Sequence, residues 1–154
     1  MKNMPKIKLH LQINIQHVFV PTKKQFQEWL NLIAMSENID SELTLGIVDR
    51  DEMQQLNKTF RGKDKPTNVL SFPYEPFPGE VDTHFLGDLI ICAPIVASEA
   101  IEQNKTELAH WSHLTIHGAL HLLGFDHEIA AEAAIMEAKE IAFLQQLGYA
   151  NPYE

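Results

Sequence analysis

The stretch HGALHLLGFDH, from His117 to His127, restricts the fold more than any other part of the chain. Residues four apart on a helix share one face, with Cβ atoms about 5–6 Å apart. His117 and His121 can therefore grip one ion from a single helix. His127 cannot share that face. Gly124 lies between, and glycine tolerates the positive φ of a sharp turn. The chain can then end a helix at Gly124, fold back, and present His127 as a third ligand beside the other two. Three neutral imidazoles suit Zn²⁺ and leave a fourth position for water. The only cysteine, Cys92, lies in an apolar run elsewhere, so an open catalytic site is expected rather than a closed structural one.

The histidine and glycine spacing is that of the metzincin zinc proteases, H-E-x-x-H-x-x-G-x-x-H. The second position here is Gly118 where those enzymes carry Glu, so proton transfer must be sought off this helix. His113 and His110 extend the same stripe. A His113–His117 pair has equal local geometry but lacks the turn that recruits a third ligand. His113 is read as supporting a ligand or lining the approach, and His110 as solvated. Asp126 either orients a ligand imidazole, accepts a proton, or serves only the turn.

The rest of the chain predicts a small α+β domain covering residues 1–154. Residues 6–16 alternate, with Ile7, Leu9, Leu11, Ile13 and Ile15 on one side, as in a half-buried strand. Thr22 caps a helix carrying Phe26, Trp29, Leu30 and Ile33. Leu43 to Val48 is a strand. Asp49 and Glu52 resemble a capping box and open a helix facing inward through Met53, Leu56 and Phe60. Asn68 to Phe72 is a third strand, and Leu86 to Cys92 a fourth, joined by a proline-rich loop long enough for a flap. Pro94 suits a first helical turn. Thr106 caps a helix reaching Leu123. A last helix, Glu128 to Leu147, is expected to turn Ile135, Ala138, Ile141 and Ala142 inward. The order β-α-β-α-β-β-α-α-α predicts a mixed, mostly parallel four-stranded sheet packed with about five helices. No stretch is apolar enough to span a membrane. The N-terminus alternates instead of carrying an apolar block, so no signal peptide is expected. A lone cysteine fits a reducing, cytoplasmic setting.

The formal net charge of −9 argues against a nucleic-acid partner on average. Its distribution does not. Lys58, Arg61, Lys63 and Lys65 crowd into eight residues, while beyond Pro66 the only basic residues are Lys105 and Lys139. A Debye length of about 8 Å lets such a cluster act locally. Arg61 offers a charged fork that fits a phosphate, and Lys63 and Lys65 would hold flanking phosphates. The competing reading is a solvated loop that complements a helix C-terminus, with Asp64 paired to Arg61. Asp88, a carboxylate entering an apolar strand, needs a partner. It either stands at a sheet edge or orients a site residue.

HGALHLLGFDH resembles the signature of the YbeY family of bacterial rRNA maturation factors, which are metal-dependent endoribonucleases. Arg61 with PTNVLSFP (Pro66 to Pro73) resembles the family's second motif, and LGDLIIC (Leu86 to Cys92) its third. The resemblance implies one α+β domain with a single metal, zinc or another divalent ion, held by His117, His121 and His127. It implies a catalytic or RNA-binding role for Arg61. It further implies action on single-stranded RNA in 16S rRNA 3′-end maturation and ribosome quality control. The implied partners are the small ribosomal subunit and its assembly factors, with neither membrane nor DNA involved. Two positions depart from the family pattern. Asn68 stands where Asp is more usual, and Phe125 where Tyr is common. If the Asp acts through its charge, Asn68 loses that contact.

The chemistry expected is metal-assisted hydrolysis of a phosphodiester, with water activated near neutral pH at the His117 site and Arg61 stabilising the transition-state charge. A metalloprotease using Asp126 as base is the first competing class, and it leaves the basic loop idle. A non-enzymatic ribosome-assembly factor with a structural metal is the second.

Overall fold

The computed structural model describes residues 4–80, 84–125 and 128–154. Its elements follow the predicted order: β1 (Ile7–Ile13), α1 (Lys23–Glu37), β2 (Ser41–Val48), α2 (Arg50–Arg61), β3 (Val69–Pro73), β4 (Phe85–Cys92), α3 (Ala93–Glu102), α4 (Glu107–Leu122) and α5 (Ala130–Gln146). The helix starts form where capping side chains stand. Thr22 and Gln25 complete a reciprocal capping box at α1. Asp49 accepts the Glu52 amide at 2.9 Å, and Thr106 accepts the Ala109 amide at 3.1 Å.

The four strands are ordered β1-β2-β4-β3. β1, β2 and β4 run parallel, and β3 is antiparallel to β4. One face of the sheet presents Ile7, Leu9, Leu43, Leu45, Leu89 and Ile91 to α1 and α4, with α5 packed on α4, and all six are essentially fully buried. Trp111 of α4 meets Phe26 of α1 edge-on across this core, with ring centroids 5.8 Å apart. The other face carries a smaller cluster, in which Met53 of α2 packs with Val48, Leu70 and Cys92. Each such side chain contributes about 1.5–3 kcal/mol on burial.

Four expectations need correction. The β1 alternation weakens along the strand, and Ile13 is 49% exposed. Phe60 does not join the α2 core face. It is 64% exposed and rests edge-on against Phe72. Helix α5 buries Met136, Glu140, Phe143 and Leu144, so the predicted Ile135–Ala138–Ile141–Ala142 stripe is rotated away from the core. Alanine and isoleucine occupy several sides of α5, so apolar period alone does not select a face. Finally, Asp88 is not on an edge strand, because β3 adds outside β4. It is exposed, in register with Thr44 and Phe72.

Candidate metal centre and its cleft

Helix α4 packs tightly on the sheet at Gly118. A Cβ built there would sink into Leu89 Cδ1 of β4, with Leu89 Cγ and Cδ2 at 3.3 Å. The Ser71 hydroxyl of β3 donates to the Gly118 carbonyl at 3.2 Å. The position that carries Glu in a metzincin therefore points into the core, and a carboxylate has no room there. This close approach sets His117 and His121 beside β3, the edge strand next to β4. Gly124 follows with φ of 98°. The amides of Gly124 and Phe125 return to the carbonyls of His121 and Leu120 at 3.0 and 3.1 Å, and this closes the helix at the predicted turn. Asp126 and His127 lie outside the described residues.

His117 Nε2 and His121 Nε2 stand 3.2 Å apart. Two nitrogens bound tetrahedrally to one zinc at 2.0–2.1 Å would be separated by about 3.3 Å, so the pair fits one ion. The opposite ring nitrogen, His117 Nδ1, is in hydrogen-bond contact with Glu140 Oε1 of α5. A carboxylate on Nδ1 fixes the tautomer and leaves Nε2 to ligate. Glu140 is fully buried, and its other oxygen accepts the Tyr153 hydroxyl from the C-terminal residues. Burial pushes the Glu140 carboxyl up, but hydrogen bonds from His113, His117 and Tyr153 outweigh it and hold the group at about 2. Tyr153 is pushed up, by burial first and then by Glu140.

His113, His117 and Glu140 also bring potential ligand atoms within 4.8 Å of one another. His113 Nε2 lies 3.7 Å from Glu140 and 3.4 Å from the Tyr153 hydroxyl. Yet Glu140 meets His117 at Nδ1, the ring nitrogen opposite the Nε2 that faces His121. The geometry fits Glu140 as the carboxylate behind His117 better than as a ligand beside it. Sequence reasoning missed Glu140, because nothing in α5 signals that a charged residue turns inward to meet histidines on another helix.

His117 and His121 line a cavity of about 520 Å³ together with Arg61, Lys63 and Lys65. The basic loop thus faces the histidines across one cleft. Arg61 is the last residue of α2, and Gly62 ends the helix with φ of 71°. The loop beyond is pinned by Asn57, a buried amide that donates to the Lys65 carbonyl at 2.8 Å. Asp64 turns away from Arg61. It accepts from Gln54 at 3.0 Å and stands 3.8 Å from Lys58. Glu128, which sequence reasoning also passed over, lines the same cavity.

Asn68 donates to Glu99 of α3 at 3.0 Å. An Asp at this position would set two carboxylates against each other, so the departure from the family pattern is matched by Glu99. His110, expected in solvent, is instead buried, with Nε2 2.8 Å from Glu99 Oε1. Burial lowers its pKa, against the pull of Glu99. The acceptor lies on a neighbouring helix, which the α4 pattern alone does not reveal. Asp88 makes no contact with the described histidines of this centre and lines neither the Arg61 cleft nor the space beyond His117.

A family model described as Endoribonuclease YbeY matches residues 10–148. A protein of Colwellia psychrerythraea named Endoribonuclease YbeY is 50% identical over 149 residues, covering 94% of this chain and 96% of the relative. A solution structure of a Thermotoga maritima protein superposes with a TM-score of 0.63 at 31% identity, covering 92% of this chain and 88% of the other. With the cleft already described, these matches are decisive: the chain belongs to the YbeY family of endoribonucleases.

Proposed function

We propose that the chain is a zinc-dependent endoribonuclease of the cytoplasm that cuts single-stranded RNA, in 16S rRNA 3′-end maturation and ribosome quality control. The observation that carries this reading is the shared cavity of Arg61, Lys63, Lys65, His117 and His121. It pairs a metal-holding wall with a phosphate-holding wall. His117, His121 and His127 would hold the ion. When bound, the ion supplies Lewis-acid activation and lowers the pKa of water toward about 7. Arg61 binds the scissile phosphate through its guanidinium fork and stabilises the charge that grows on it. Lys63 and Lys65 neutralise neighbouring phosphates. Glu140 keeps the His117 ring aligned, and Tyr153 keeps Glu140 aligned. The small ribosomal subunit and its assembly factors are the cellular partners on this reading.

Glu140→Ala is expected to weaken zinc binding about ten- to hundredfold, the usual cost of losing a carboxylate behind a ligand histidine. His121→Ala abolishes tight binding, whereas His113→Ala retains it. Competition against a chromophoric chelator measures all three. If His113→Ala loses the metal and His121→Ala keeps it, the ion sits between His113 and Glu140 instead.

The activity is tested with end-labelled RNA offered as a single strand and as a duplex. Discrete products from the single strand alone, abolished by chelator and restored by zinc, support the reading. Equal cleavage with and without chelator contradicts it.

A further inference from the structure

A second cavity, of about 690 Å³, opens on the other side of His117. It lies between the α3–α4 turn, the first half of α4 and the residues after α5. His117, Asn68 and Val69 line both cavities, so the two spaces meet at the candidate ligand. RNA is continuous, and a phosphate seated beside Arg61 carries a nucleotide on each side of it. The shared lining gives one of those nucleotides a way past His117 into the second space.

The lining of this second space differs from that of the Arg61 cleft. Gln103 and Asn104 contribute side-chain amides, each both donor and acceptor. Both residues are exposed, so their amides are open to a ligand. Tyr149, Tyr153 and His113 contribute rings. Apart from the imidazoles, Lys105 is the only cationic side chain among the lining residues, and Glu154 also lines the space. A phosphate would gain little here. A nucleobase edge, with donors and acceptors side by side, matches the amides, and its faces match the rings. Single-stranded RNA is commonly recognised in this way, with bases splayed out, stacked on aromatic side chains and hydrogen-bonded at their edges.

We propose that this cavity is a nucleobase subsite, which takes the unstacked base of the nucleotide flanking the scissile phosphate and reads its edge through Gln103 and Asn104. The inference rests on the endoribonuclease reading for the identity of its ligand. The subsite lets binding of one base hold the strand in register against Arg61.

The test titrates the zinc-loaded protein with each nucleoside 5′-monophosphate and with ribose 5-phosphate, none of which contains a phosphodiester to cut. Binding is followed by NMR. The nucleotides are expected to shift the Gln103 and Asn104 side-chain amides and the Tyr149 backbone amide, and ribose 5-phosphate to leave them unmoved. At least one nucleotide should bind about tenfold more tightly than ribose 5-phosphate, the scale of one stacked base. That advantage should disappear in Tyr149→Ala and shrink in Gln103→Ala, whose exposed site leaves folding intact. Equal affinity for nucleotide and sugar phosphate overturns the subsite, as does a nucleotide advantage unchanged in both variants. The two readings fail separately. RNA cleavage without base-dependent binding removes only the subsite, and base-dependent binding without RNA cleavage removes the endoribonuclease reading.

Discussion

Gly118→Glu, which restores the missing metzincin residue, is expected to remove most or all of the protein's stability instead of creating a protease. The new side chain starts inside Leu89, on the face of α4 that lies against the sheet. Overpacking a core costs about 1–3 kcal/mol for a few added atoms. An unpaired carboxylate in the same place adds several more. Against a total stability of about 5–15 kcal/mol, the sum removes most or all of it. Gly118→Ala is the graded control. It gains up to about 1 kcal/mol of helix propensity but still drives a methyl into Leu89, which is itself fully buried. A net loss is expected, read as a lower urea midpoint. Gly118→Ala combined with Leu89→Ala should recover part of that loss. A Gly118→Glu protein that melts like the wild type would mean that α4 does not pack on β4 as described.

The same packing marks what is local in the sequence and what is not. The histidine spacing and Gly124 carry their own geometry, because a helix period and a positive φ are local properties. The strands and capping residues were legible for the same reason. From the sequence, Gly118 looks like a deletion of function. Only its distance to Leu89 reveals a packing requirement, and that distance depends on two elements far apart in the chain. Glu140 was hidden by a similar cause. Apolar pattern places a glutamate outward, and its burial follows from His117 and Tyr153, partners 23 and 13 residues away. The burial of His110 is not legible in α4 alone because Glu99, its partner, lies on α3. The sheet-edge place expected for Asp88 fails because strand order depends on where β3 pairs, and a list of strands leaves that open. The basic loop was ambiguous for lack of one fact, the direction in which Arg61 faces.

Arg61 stands on the wall of the cleft that the histidines share, and the second large effect follows from that placement. Asp64 is engaged with Gln54 and Lys58, so the guanidinium is not neutralised by its near neighbour. It lines the cleft that His117 and His121 line. Removing a preorganised donor of transition-state charge typically costs about 10²–10³ in kcat, so Arg61→Ala should fall by that factor. Arg61→Lys should recover only part, since an ammonium supplies charge without the fork. Arg61 is exposed, so both variants should fold and load zinc as the wild type does. A rise in KM with kcat intact would mean that Arg61 binds substrate and transition state equally.

The most direct measurement is single-turnover cleavage of one labelled single-stranded RNA by wild type, Arg61→Ala and His117→Ala, with bound zinc quantified in each sample. The expected result is a metal-loaded Arg61→Ala protein slowed at least about a hundredfold, and a His117→Ala protein lacking both tight metal and cleavage. Wild-type rates from either variant would contradict a cleft in which the histidine wall holds the metal and Arg61 holds the phosphate.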